Sequence, residues 1–395
     1  MRRFVVMLGA VVTALALVAG SSAASRALGA GPSGLDHASH SIRPAPPDGP
    51  GRYTVGLSTV RMVDPARADR TLTVDIWYPA EARSDVPTAA IDLIFTQLPL
   101  PGVLAEPVVA RGSFPLVVFS HGNGGVRFQS WFLMEALASH GFVVAAPDHA
   151  GNTALDAIAG TSDTIGVAAV NRPRDVSFVI DQMLARHGDP ASPFHRHIDE
   201  RDVAVVGHSF GGFTALATAG GFLDYQPDPR VDAIVPIAPA TFGLTDDQLA
   251  SIDVPTLLMG GTSDTVVPIE PGIVRAWELI SGRPEHRVDV LAAGHNSFTN
   301  VCRIRDAYVA AGVGDPVIGL VEAQAEHGCS PDLLPIEEAH RVTDLYLVSF
   351  LTRELQRNAR YGRYLTPGHA DRHDLPVELH VKPEGREPGA GAAAA

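Results

Sequence analysis

Residues 203–217 read VAVVGHSFGGFTALA. Val203–Val206 form a short run that is apolar on both faces, the mark of a strand buried inside a parallel sheet. Thr214, Ala215, Ala217 and Thr218 then supply a small-residue helix. Between them lies Gly207-x-Ser209-x-Gly211. A serine held between strand and helix sits on a tight, strained turn, and the residues two before and two after it must be small for that turn to form. The helix that follows directs its first N–H groups at the place where an oxyanion develops. The five-residue pattern alone is weak in a chain with 38 glycines. The strand before it and the helix after it give it weight, and Ser209 is the candidate nucleophile.

Working outward, roughly alternating strands are expected at Tyr53–Met62 and Thr71–Tyr78. They are followed by short apolar runs at 115–119, 142–146, 233–237, 256–259 and 288–291. Helical periods lie between and after them, at Gln129–His140, Pro173–Arg186 and Ile336–Arg357. Strand and helix in alternation predict an α/β fold, a mostly parallel central sheet flanked by helices on both faces. Nothing repeats and no linker interrupts the pattern, so one domain is expected over 52–365.

In a fold of this kind the acid and the base follow the nucleophile in that chain order. Asp264 stands in a polar turn just after the run 256–259, whereas Asp246, Asp247 and Asp253 precede that strand, at the wrong end; Glu270 is the nearby substitute. His295 lies in a glycine-flanked loop after the run 288–291, and its rivals His286 and His327 lie before it or too far beyond. Serine is a weak nucleophile near neutral pH, so His295 is the candidate base and Asp264 the group that fixes its tautomer. Two N–H donors are needed for the oxyanion. Phe210, directly after the nucleophile, is one, and Asn123 in the glycine-rich loop SHGNGG (120–125) is nominated as the other. His121 in that loop is read as holding its shape rather than as a second base.

Composition sets the outer bounds. The chain has 395 residues, 46% of them apolar, and a formal charge of −14. That leaves no basic face for nucleic acid. Residues 1–24 carry a basic start, an apolar stretch and a small-residue exit, and read as a signal peptide for a secreted protein. Residues 25–51 read as a flexible leader and 366–395 as a loose C-terminal tail with a possible strand at Val377–Val381. His369 and His373 are spaced like helical metal ligands, but Pro367 and Gly368 argue against a helix, and no metal site is assigned. Cys302 and Cys329 are the only cysteines, too few for a Cys-rich zinc module. In an exported chain they are expected to pair, the alternative being two buried thiols. Two further stretches could frame an acyl pocket. Residues 88–105 are apolar, suited to local core packing, to covering the site or to lipid contact, and residues 151–171 have the character of a mobile loop.

The blocks PLVVFSHGNGG (115–125), ALASHGFVVAAPDHAGNT (136–153), VAVVGHSFGG (203–212), the Asp264 turn and AGHNSFTNVC (293–302) resemble the α/β-hydrolase superfamily. Within it the chain is most similar to platelet-activating-factor acetylhydrolase and dienelactone-hydrolase-like serine esterases, and more loosely to secreted polyester hydrolases. The likeness spans roughly residues 52–355. Dienelactone hydrolases proper use cysteine, and Ser209 favours the serine esterases. Asn123 is an unusual side chain at the position that donates to the oxyanion. The resemblance implies a secreted carboxylic-ester hydrolase working through an acyl-enzyme, with no metal or organic cofactor, on small-molecule, lipid or polymeric esters. An acyltransferase or peptidase would share the same three residues, and a catalytically silent binding protein would keep the fold alone.

Overall fold

The computed structural model describes residues 45–382, so the proposed signal peptide, most of the leader and the last part of the tail lie outside the described residues. Two long antiparallel strands open the fold, β1 (Thr54–Asp64) and β2 (Arg70–Ala80). A hairpin follows, β3 (Thr88–Asp92) and β4 (Gln97–Ala105). Strands and helices then alternate: β5 (Phe114–Ser120), α1 (Trp131–Ser139), β6 (Val143–Pro147), α2 (Ala154–Ala159), α3 (Ile165–Gly188) and β7 (Ile198–His208). Next come α4 (Phe210–Gly220), β8 (Ala233–Ile237), α5 (Asp246–Ala250), β9 (Thr256–Gly261), α6 (Val274–Leu279) and β10 (Glu285–Val290). The last elements are α7 (Val301–Ala310), α8 (Val317–Cys329), α9 (Ile336–Glu354), α10 (Pro367–Arg372) and β11 (Val377–Lys382).

All the strands join one sheet in the order β11-β10-β9-β8-β7-β5-β6-β2-β1-β4-β3. The six strands from β10 to β6 run parallel, and every residue of β5, β6, β8 and β9 is buried. Side chains alternate between the two faces because successive Cβ atoms point to opposite sides of a strand. Val117 and Phe119 pack with α1 and α9 on one face, while Leu116 and Val118 pack with α3 and α4 on the other. This is the α/β-hydrolase fold, with helices on both faces of a mostly parallel sheet.

Several expectations need correction. The leader does not run loose to residue 51: the Ala45 carbonyl accepts a 2.9 Å bond from Tyr361, and Asp48 forms a 2.8 Å ion pair with Arg341. Nor is 366–382 a loose tail. Thr366 caps α10 with Pro367 in its first turn, where a missing N–H costs nothing, so the helix forms despite the proline. The rest, β11, pairs antiparallel with β10, with Val377 opposite Val290, and Lys382 reaches Glu285 at 3.1 Å. The helix expected from Pro173 begins two turns earlier, at a Thr164 cap, and keeps the proline inside it. Residues 88–105, by contrast, follow the expected core packing: they are a hairpin whose Ala89, Ile91, Leu93, Leu100 and Val103 join the core beside Trp131. Residues 151–171 are not one loop, since they hold α2 and the first turns of α3.

Candidate active site

Ser209 sits between β7 and α4 with φ 58° and ψ −115°, a left-handed backbone that a serine adopts only when its surroundings impose it. The flanking glycines show what imposes it. A Cβ at Gly207 would overlap the Gly211 carbonyl, and one at Gly211 would overlap the Ser120 carbonyl of β5. The chain can turn this sharply only where those two side chains are absent. The Ser209 N–H is held by the Ile237 carbonyl at 2.8 Å.

Asp264 follows β9 and His295 follows β10, so parallel strands deliver both to the same sheet end as Ser209. His295 Nδ1 lies 2.7 Å from Asp264 Oδ2, and His295 Nε2 lies 2.9 Å from Ser209 Oγ. The other carboxylate oxygen of Asp264 accepts the N–H groups of Val266 and Val267, each at 2.8 Å. Asp264 and His295 are buried, whereas Ser209 is partly open to the pocket. Of the rival acids, Asp246 is instead paired with Arg275.

The pocket holds about 680 Å³ and is bordered by Ser209, Phe210 and Asn123. Its walls include Ile165, Phe242, Val266 and Val267, with Phe242 58% exposed at the mouth. The N–H groups of Asn123 and Phe210 donate to no acceptor among the described residues, so both remain available at the pocket floor. The Asn123 side chain is held from behind, its Oδ1 accepting from Asn152 Nδ2 at 2.8 Å.

Sequence reasoning passed over a second layer of polar residues. His208, the residue before the serine, donates from Nε2 to the His295 carbonyl at 2.8 Å. Its Nδ1 is 3.0 Å from Gln129 Nε2, and Gln129 Oε1 accepts the Gly122 N–H at 3.1 Å. Burial pushes the His208 imidazole down to about 3, so it stays neutral. His121 is buried too, held well below the ordinary histidine range by burial and by Arg172, which rules it out as a base exposed to substrate. Nothing in the local pattern marked His208, Gln129 or Arg172, because each meets its partners only across the sheet end.

Cys302 and Cys329 are bonded, with Cα atoms 5.8 Å apart, and tie α7 to α8. This staple flanks the His295 turn, where Asn296 Nδ2 donates to the Gln324 carbonyl of α8 at 2.9 Å. On β10 and β11, Asp289, Glu378 and His380 approach one another, but Arg287 bonds both Asp289 and His380 and already occupies the cation's place.

Comparison with known proteins agrees with this architecture. Residues 102–310, more than half of the chain, match the PET hydrolase-like family. The chain is 27% identical over 261 residues to Cutinase 2 of Thermobifida cellulosilytica, covering 66% of this chain and 76% of that protein. It is 24% identical over 262 residues to the platelet-activating factor acetylhydrolase of Cavia porcellus, covering 53% and 58%. A ferulic acid esterase from Streptomyces cinnamoneus superposes with a TM-score of 0.63 at 25% identity, over 86% of this chain and 98% of its own. The family match thus falls on the polyester-hydrolase side of the resemblance, with the acetylhydrolase as a further relative. The chain belongs to the PET hydrolase-like family and carries a carboxylic-ester hydrolase domain of the α/β-hydrolase fold.

Proposed function

We propose that this is an exported serine esterase that cleaves apolar carboxylic esters through an acyl-enzyme. The observation that carries the reading is the unbroken run of hydrogen bonds from Asp264 through His295 to Ser209 at the pocket floor. As Ser209 Oγ attacks the ester carbonyl carbon, His295 Nε2 takes the hydroxyl proton, and Asp264 holds Nδ1–H and stabilises the imidazolium. The carbonyl oxygen becomes an oxyanion that the Phe210 and Asn123 N–H groups bind. Collapse breaks the bond to the leaving oxygen, and His295 returns the proton to that alkoxide. Water then attacks the acyl-serine with His295 again as base, releasing the acid and restoring Ser209. The apolar walls at Ile165, Phe242 and Val266 suit an apolar acyl or alcohol group, and the partly exposed mouth suits a substrate longer than the pocket. The apolar stretch at 1–24 supports export. Among the described residues no helix is long and apolar enough to cross a membrane.

Ser209→Ala is expected to abolish hydrolysis of p-nitrophenyl acyl esters and labelling by a fluorophosphonate. A mutant that keeps the wild-type rate would overturn the assignment. A panel from acetyl to palmitoyl esters, with a polyester film and a phospholipid, then ranks the substrates.

A further inference from the structure

Arg172, on α3 one residue before Pro173, is wholly buried, yet every acceptor that its guanidinium reaches is neutral. Nη1 donates to the His121 carbonyl at 2.6 Å and lies 3.3 Å from Ser120 Oγ. Nη2 donates to the Gly122 carbonyl at 2.9 Å and lies 3.2 Å from His121 Nδ1. Nε donates to Asn152 Oδ1 at 2.9 Å, and Asn152 in turn holds the Asn123 side chain. The guanidinium carbon stands 4.7 Å from the centre of the Phe210 ring.

The geometry of the peptide bond turns these contacts into direction. In a trans peptide the C=O and the next residue's N–H lie in one plane and point opposite ways. Gripping the His121 carbonyl therefore turns the Gly122 N–H away from Arg172, and that N–H is found on Gln129 Oε1. Gripping the Gly122 carbonyl does the same to the Asn123 N–H, which has no internal acceptor among the described residues and borders the pocket. On its other side the same guanidinium packs on Phe210, the residue that carries the second donor. We propose that Arg172 is a positioning residue that aims both oxyanion donors, the Asn123 N–H through the Gly122 carbonyl and Asn152, and the Phe210 N–H through its ring. This rests on the reading of Asn123 and Phe210 as the oxyanion donors.

The companion groups suit that task. Ser120, His149 and Asp175 form a second Ser–His–Asp run, with His149 2.9 Å from Ser120 Oγ and 3.0 Å from Asp175. All three are fully buried, so no substrate reaches them. Asp175 is paired with Arg67 and Arg70, each at 2.7 Å. The run acts as a rigid wall behind Arg172 rather than as a second reaction centre.

The test compares Arg172→Lys and Asn152→Leu with wild type and with Ser209→Ala. Lysine keeps the charge but cannot span two carbonyls and a side chain as a planar fork does. Removing one oxyanion donor outright costs about 10²–10³ in kcat. Misaiming is expected to cost Arg172→Lys roughly 10- to 100-fold in kcat with KM nearly unchanged. Affinity for a trifluoromethyl ketone, whose adduct with Ser209 carries an oxyanion, should fall by the same factor as kcat/KM. Asn152→Leu should show the same pattern at a smaller size, more than about threefold, and it alone decides the matter if Arg172→Lys does not fold. A purely structural role would lower the melting temperature and leave the ketone affinity alone. Folded variants that hold kcat/KM and ketone affinity within about threefold of wild type, or that lose rate without losing ketone affinity, overturn the inference. An active Ser209→Ala would instead refute the serine mechanism itself.

Discussion

Ser209 is held in an unfavourable backbone conformation by neighbours that leave no room for side chains at Gly207 and Gly211. The obstacles are main-chain carbonyls, which cannot swing aside as the end of a long side chain would. Gly211→Ala is therefore expected to push α4 away from β5, costing about 3 kcal/mol or more and abolishing fluorophosphonate labelling. Retained labelling and an unchanged denaturation midpoint would contradict this. Asp264→Asn is a subtler change. Asparagine can still accept the Val266 and Val267 N–H groups, but it turns an N–H toward His295 and favours the wrong tautomer. A fall in kcat on the order of 10³ to 10⁴ with little loss of stability is expected, measured by ester hydrolysis and thermal melting side by side. The three side chains proposed to react were legible in the sequence because each follows its own short apolar run. Arg172 and His208 were not, since an arginine on a helix reads as a surface cation until the opposite wall is known.

At the scale of elements, the insertion after His295 depends on its staple. The bond from Cys302 to Cys329 closes a loop of 27 residues between α7 and α8. Replacing both cysteines by serine is expected to cost roughly 3 to 4 kcal/mol in the chain-entropy picture, read as a lower denaturant midpoint. An unchanged midpoint would show that α7 and α8 hold themselves. The elements that escaped sequence reasoning share a cause. Pro173 argues for a helix start, yet α3 runs through it, because burial of Val176, Val179 and Ile180 outweighs the hydrogen bond that proline forfeits at Ala169. The segment 377–382 was legible as a short strand inside what reads as a tail, but its partner, the open strand edge on β10, was not. Local propensity cannot see a partner more than 80 residues away.

For the whole molecule, buried histidines govern the response to acid. Burial lowers His149, His286 and His340 to about 4 and His208 to about 3, and His121 and His140 move the same way. In the unfolded chain they titrate near 6.5. Between those values the unfolded state binds more protons than the folded one, so stability falls as pH drops from about 6.5 toward 4. Burial raises Glu135, Asp148, Asp202, Asp232, Glu285, Asp289 and Asp344, which works in the opposite sense, but only Glu285, to about 7, and Asp344 move far, against five imidazoles that do. Melting temperature should therefore decline steeply across that interval, and His340→Gln should flatten the slope. A melting temperature constant from pH 6.5 to 4 would refute this account.

The sequence by itself determined the sheet type, the strand–serine–helix turn and the chain order of Ser209, Asp264 and His295, the residues proposed to react. These follow from periodicity and steric need, which act over a few residues. It also determined that a staple could form after His295, because only two cysteines exist. Only the tertiary structure decided where the ends of the fold lie, that a hairpin and a last strand extend the sheet, and which groups surround the three reacting residues. The physical reason is that strand pairing, burial of a guanidinium and the aim of a peptide N–H depend on partners brought together by folding. Arg172 meets Gly122 across 50 residues of chain, and no local pattern announces that meeting.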